Sequence, residues 1–296
     1  MIKKLLLLLF ISSCSPQSEG EKFIDILENR YANLEVNKKE KLVVLDKIKK
    51  FVDDGKFKEE NILEIKKLLS EMKDYHLVMD STLSSTDEEV ERDDRCITSK
   101  IESASTYIIK VHSLWCETEE FSSIDRFSKE FKEHAIKAKS YSNIKIDLRG
   151  NGGGGDQETR YLLKRLIKSK SFLYQYQYTN ATRPVYKRGF GKWTKKKTDY
   201  ISPLESAEDY LGHKNLIALV DKDTFSSAEV VASVLKFSKS AILLGERTKG
   251  GAGDPITEPF FDGRYELSFA TCVVWQEDGS LYEQHGVTPN SSVITK

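Results

Sequence analysis

Ser226 and Ser227 stand directly after a polar turn, at the head of an apolar helical pattern. The apolar run before the turn, Leu216 to Val220, has the length of a buried strand. Asp221 to Thr224 form the turn. Val230, Val231, Val234, Leu235 and Phe237 then recur at helix spacing. A hydroxyl at this junction sits where unpaired N–H groups and the positive end of a helix converge. Acyl-transfer chemistry uses such a place for a nucleophile and for the oxyanion its attack creates. Serine is also a common helix N-cap, so the position alone leaves both roles open.

A second stretch supplies the groups that a nucleophile needs beside it. Asn143 to Asp156 reads NIKIDLRGNGGGGD. Ile144, Ile146 and Leu148 alternate as in a strand, and a glycine run follows. Glycines let the backbone turn its N–H groups toward an anion. A helical pattern, Glu158 to Ile167, leaves the run. Two strand–turn–helix units are therefore expected, one offering amides and one a serine.

In that order the motifs resemble the tail-specific (C-terminal processing) serine proteases. DLRGNGG is similar to their glycine motif, and TFSSAE is similar to their nucleophile motif, with Ser226 on the nucleophile. GERTKGGAG and HGVTPN resemble two later turns, Asn290 standing where the family usually has Asp. The resemblance runs from about Asn61 to the C-terminus. In the Ser-Lys members a lysine base follows the glycine of the GERTKGGAG turn. Here Gly251 occupies that place, and Lys249 lies two residues earlier at a position that is not catalytic in the family. The chain thus looks like the tricorn-core and interphotoreceptor-retinoid-binding-like branch, whose active members take a histidine base from an early segment. Asp74-Tyr75-His76 matches the D-x-H element of that segment. Histidine suits a general base at neutral pH. His285 is the runner-up, ahead of His112, His134 and His213. The acid orienting the base stays open among Glu71, Asp74, Glu246 and Glu258.

The resemblance implies an α/β fold of the crotonase/ClpP-like kind, a ββα-repeat catalytic domain in which oxyanion amides and nucleophile lie on adjacent turns. It implies a serine-type peptidase acting on a polypeptide, with Ser226 as nucleophile and His76 as base. N–H groups of Ser227 and of Gly152 or Gly153 would hold the oxyanion. Asp147 and Arg149 are expected to brace the strand end. Some relatives of this architecture bind apolar ligands without proteolysis, so a non-catalytic ligand- or peptide-binding lipoprotein is the alternative. Hydrolysis of a small acyl ester would share the same site.

The remaining elements are those that must position these residues. Met1 to Cys14 reads MIKKLLLLLFISSC: two lysines, a short apolar run and small residues before a cysteine. The pattern resembles a bacterial lipoprotein signal at residues 1–14, with Cys14 lipidated and residues 15–22 as a tether. The expected place is the periplasmic or extracellular face of a membrane. Residues 23–74 are expected to form a helical cap. Its apolar stripes are Phe23, Ile24, Ile26 and Leu27; Leu42, Val43, Leu45, Ile48 and Phe51; and Ile62, Leu63, Ile65, Leu68, Leu69 and Met72. Asp53-Asp54-Gly55 breaks the second helix from the third. Residues 75–296 form the catalytic domain, and Tyr75 to Tyr107 is short for a PDZ insert.

Cys96 and Cys116 flank a pair of strand patterns and could meet across it; an oxidising compartment would permit a disulfide, which would leave Cys272 over. Their spacing resembles no zinc site, so neither metal nor cofactor is expected. Forty-six basic residues balance 46 acidic ones, which argues against a nucleic-acid partner. Phe172 to Tyr178 reads as a strand with aromatics on one face. Arg183 to Lys197 reads as a basic hairpin, and Ile256 to Val274 as closing strands.

Overall fold

The computed structural model describes residues 18–82, 95–179 and 193–291. The signal segment with Cys14, most of the acidic stretch to Asp94 and most of the basic stretch from Arg183 lie outside those residues. The helical segment comprises α1 (Glu19–Asp25), a π-helical turn (Ile26–Arg30), α2 (Lys38–Asp53) and α3 (Ile62–Ser70). α1 starts inside the expected tether, because Ser18 and Glu21 form a reciprocal capping box. α2 stops at Asp53, and Gly55 turns the chain at φ 70°. The buried face of α2 is Val44, Leu45, Ile48 and Phe51. Leu42 and Val43, expected in that stripe, are exposed, as is Leu63 on α3. A 3.6-residue period carries these neighbours away from the narrow face that meets the core.

Eleven named strands follow. They are β1 (Val78–Ser81), β2 (Ile97–Ser103), β3 (Thr106–Val111), β4 (Asn143–Asp147), β5 (Ser171–Tyr178) and β6 (Lys197–Ile201), then β7 (Asn215–Val220), β8 (Ala241–Gly245), β9 (Pro255–Phe260), β10 (Tyr265–Ala270) and β11 (Cys272–Trp275). Interleaved are α4 (Ser123–Ala138), α5 (Asp156–Leu166) and α6 (Ser227–Phe237). The central sheet has the order β2-β3-β4-β7-β8. β3, β4, β7 and β8 run parallel, and β2 pairs antiparallel on the edge. β7, inside this parallel sheet, is largely buried, which explains its unbroken apolar run; β8 lies at the sheet edge and leaves Ile242 exposed. α4 buries Phe127, Phe131, Ala135 and Ala138, one stripe at helical spacing, in the same core.

Two smaller sheets complete the molecule, β11-β5-β6 and β1-β10-β9. The helical segment is built on the second of these. Phe23, Leu27, Leu45 and Ile65 share one core cluster with Met79, Phe260, Leu267 and Phe269. The result is the expected mixed α/β fold with helices at its N-terminal side. Between His76 and β3 the described residues hold only β1 and β2, with no PDZ-like insert. A disulfide joins Cys96, beside β2, to Cys116, beyond β3; their Cα atoms are 5.9 Å apart. Cys272 lies outside it and is buried.

Candidate active site

β4 and β7 are parallel neighbours with Asp147 opposite Leu219, so the turns that follow them emerge side by side. Loops at the carboxyl ends of parallel strands are where α/β sheets hold their ligands. The two turns are laced together. Asp221 Oδ1 accepts the N–H groups of Gly150 at 3.0 Å and Thr224 at 2.9 Å. Thr224 Oγ1 donates to Leu148 O at 3.0 Å, and Phe225 N–H donates to Asn151 O at 2.9 Å. Asp147 grips Arg149 through two hydrogen bonds of 2.8 and 2.7 Å, which braces the strand end.

Ser226 occupies the apex of the second turn, immediately before α6. Its φ of 54° and ψ of −125° lie in a region nearly reserved for glycine. The strain is the kind found where a strand-to-helix turn presents a nucleophile. The Ser226 N–H is held at 3.1 Å by Glu229 Oε2, one helical turn on. Gly153 packs directly on this apex. A Cβ there would stand 2.7 Å from Ser226 Cβ and 2.9 Å from Ser227 N, and its φ is +100°. Glycine is required because the two turns touch.

The three expected oxyanion donors separate at this point. Gly153 N–H is committed to Asn151 Oδ1 at 2.8 Å. The N–H groups of Gly152 and Ser227 have no hydrogen-bond partner among the described residues. Ser227 Oγ donates to Gly154 O at 2.7 Å, which fixes the first turn against the head of α6.

His76 lies in the loop between α3 and β1. Its ring packs on Phe225, the residue before Ser226, with centroids 4.6 Å apart and planes 31° from parallel. It is 6% exposed. Nδ1 is buried without a partner and faces Gly251, whose missing Cβ would stand 3.3 Å away. Asp74 Oδ1 accepts the His76 main-chain N–H at 2.8 Å. Burial pushes the imidazole below its ordinary 6.5 and the Lys249 ammonium adds to that, while Asp74 opposes it. The balance favours the neutral ring.

The rival groups have other surroundings. His112 Nε2 pairs with Thr98 and His134 Nδ1 with Ser99, each at 2.7 Å. His213 and His285 are exposed. Lys249 places its ammonium over the rings of Tyr75 and Phe225 at 4.7 and 5.0 Å. Of the acids considered, Glu71 pairs with Lys47, and Glu258 pairs with Arg30 and Lys22.

Two buried glutamates near the site are not among the expected site residues, although Glu229 closes the TFSSAE motif. Glu229 accepts from Ser226, Gly250 and Gly251 N–H groups and from Thr248 Oγ1. It thereby ties the GERTKGGAG turn to the head of α6, and burial pushes it up to about 7. Glu283 Oε1 accepts Ala252 N–H at 3.1 Å, while its Oε2 is buried and unpartnered. Burial pushes Glu283 up to about 8, and Asp74 adds to that.

A cleft of about 430 Å³ opens beside the Ser226 turn, lined by Ser226, Ser227, Val230, Tyr174, Tyr176 and Tyr178 among others. The tyrosines stand in a row on one face of β5, their neighbouring rings 5.6 and 5.5 Å apart. Arg160 reaches the cleft but is paired with Asp156 and Asp199. His76 does not line this cleft; it sits behind Phe225.

The match to known proteins follows the same two turns. Residues 108–293 match the model of peptidase family S41, which is more than half of the chain. The chain belongs to peptidase family S41. It is thus a peptidase of the tail-specific protease superfamily. The matched span includes both turns and begins after His76. No curated protein matches the chain at a significant level. Among solved structures, a protein from Parabacteroides merdae is 18% identical with a TM-score of 0.69, over 92% of this chain and 88% of that one. A lipoprotein from Streptococcus agalactiae is 20% identical with a TM-score of 0.62, over 99% and 95%. Mature CPAF complexed with lactacystin is 17% identical with a TM-score of 0.52, over 67% and 49%. At such identities these structures share the fold of this S41 chain, including, in the first two, its helical segment. No helix among the described residues is long and apolar enough to cross a membrane.

Proposed function

We propose that this S41 chain is a serine peptidase in which Ser226 is the nucleophile and His76 the general base. The observation that carries the reading is the strained apex at Ser226, pressed against Gly153 and flanked through Phe225 by a neutral, buried imidazole. Ser226 Oγ attacks the scissile carbonyl carbon and passes its proton to His76 Nε2, since Nδ1 faces inward. The carbonyl oxygen becomes an oxyanion, which the N–H groups of Ser227 and Gly152 receive. Collapse breaks the C–N bond, and His76 returns the proton to the leaving amine. Water then attacks the acyl-serine by the same proton route, which frees the acid and Ser226. Gly153 serves through its lack of a side chain.

Glu283 is the acid behind the base. His76 Nδ1 faces Gly251, Glu283 Oε1 takes the N–H of the next residue, Ala252, and both Nδ1 and Glu283 Oε2 are buried without a hydrogen-bond partner. The tyrosine-lined cleft receives part of the polypeptide. Lipidation at Cys14 holds the protein on the outer face of a bacterial membrane, a reading supported by the leader pattern and by the likeness to a streptococcal lipoprotein.

Hydrolysis of fluorescein-labelled casein by the purified chain tests this. Cleavage is expected for the wild type and lost in Ser226→Ala. Cleavage that survives Ser226→Ala would refute the assignment of the nucleophile.

A further inference from the structure

Behind His76 the helical segment sends a chain of buried polar groups toward the site. Lys41 on α2 is 3% exposed and Tyr31, just after the π-helical turn, is 0% exposed. Lys41 Nζ donates to Tyr31 Oη at 3.0 Å and to Asn33 O at 2.7 Å. Tyr31 Oη donates to Asp74 Oδ2 at 2.6 Å, and Asn33 Nδ2 donates to the same oxygen at 2.8 Å. The other oxygen of Asp74 takes the His76 main-chain N–H. The order is ammonium, phenol, carboxylate, then the backbone of the base.

Packing does not account for these groups. A buried ammonium carries a desolvation penalty that an apolar side chain beside Val44 and Leu45 would avoid. Such networks specify one geometry when every member is satisfied. Here the geometry specified is that of the loop carrying His76, which has little regular structure to hold it. Lys73, one residue before Asp74, sits at φ 52°, a strained value that neighbouring contacts must maintain.

We propose that Lys41, Tyr31 and Asp74 form the device that positions His76, so that the helical segment is part of the catalytic centre. This rests on His76 being the base. Burial holds Tyr31 well above its ordinary 10.0, so the phenol keeps the proton it donates. Burial lowers Lys41, while Asp74 and Glu283 oppose that shift. The charged groups around the His76 ring are Asp74 on its own loop, Lys249 from the turn after β8, Glu229 across Gly251, and Glu283 from the C-terminal segment. Of these, Asp74 favours the imidazolium and Lys249 disfavours it.

The test is the rate at which a fluorophosphonate modifies Ser226 in the full-length protein, measured across pH. Tyr31→Phe and Lys41→Met are expected to lower the maximal rate of modification roughly tenfold while the probe's apparent affinity is unchanged, the scale of one lost hydrogen bond to a charged group. Asp74→Asn is expected to slow modification and to move its midpoint to lower pH, because the group favouring the imidazolium is gone. Lys47→Met, on the outer face of α2, keeps the wild-type rate and midpoint. Wild-type rates in folded Tyr31→Phe and Lys41→Met, with His76→Ala still slow, would overturn the positioning role alone. Modification of His76→Ala at the wild-type rate would overturn the reading of the base and this proposal with it. Should Tyr31→Phe not fold, Lys41→Met and the Asp74→Asn midpoint decide.

Discussion

Ser226 holds a backbone conformation that costs about 1–3 kcal/mol, and the surrounding contacts keep it there. Gly153 is the contact that leaves no slack. Gly153→Ala is expected to lower stability by roughly 1–3 kcal/mol, because the new methyl overlaps backbone atoms and adopts a disfavoured φ. It should also abolish casein hydrolysis, since relief of the overlap displaces the apex; hydrolysis at the wild-type rate would contradict the packing. Glu283 gives a pH signature. A carboxyl held near 8 in the fold and at 4.5 when unfolded binds its proton more tightly in the folded state. Its stabilising contribution is whole below pH 4.5 and is lost as pH rises toward about 8. Glu283→Gln has no proton to lose there, so its melting temperature should rise relative to the wild type from about pH 5 to about pH 8. A difference that stays constant with pH would contradict the buried acid. Short motifs single out Ser226, Ser227, Gly152, Gly153 and His76; the fold sets the first four on two touching turns and packs the His76 ring on Phe225, while the Gly153 N–H, expected as an oxyanion donor, goes to Asn151. Glu283 stands in no motif weighed for the acid, and only the fold buries it. Of the acids weighed in its place, Glu71 and Glu258 turn out to pair with lysine or arginine elsewhere.

The elements that carry the Ser226 turn depend on one side chain. Glu229 joins the head of α6 to the turn after β8 through four hydrogen bonds. Glu229→Ala strands buried donors on both elements and is expected to cost roughly 3 kcal/mol or more in urea denaturation. A loss below 1 kcal/mol would show that solvent replaces those bonds easily. The disulfide acts on β2 and β3. Cross-linking Cys96 to Cys116 closes a loop with a sequence separation of 20, and loss of both cysteines is expected to cost about 3 kcal/mol. Mass mapping under non-reducing conditions that found both thiols free would contradict the bridge. Periodicity located most elements to within a few residues: α5 was expected from Glu158 and begins at Asp156, and β7 and β8 lie where their apolar runs are. Pairing was less legible. β1 runs antiparallel to β10, with Met79 opposite Leu267, and nothing near either residue encodes a partner so distant in the chain.

At the scale of the whole molecule, the helical segment and the closing strands form one core, and the His76 ring packs on Phe225, next to Ser226, 150 positions later in the chain. The family match starts after that loop, yet the fold likeness to the S. agalactiae structure spans 99% of the chain. The anchoring proposed at Cys14 has its own test. Incorporation of labelled fatty acid is expected for the wild type and lost in Cys14→Ser; incorporation that persists would move the modification elsewhere. The central claim concerns chemistry at one oxygen. Its most direct measurement is peptide mapping of the full-length protein after reaction with a fluorophosphonate. The account predicts an adduct on Ser226, absent from Ser226→Ala and formed far more slowly in His76→Ala. An adduct on another serine, or a folded protein with no adduct at all, would contradict it.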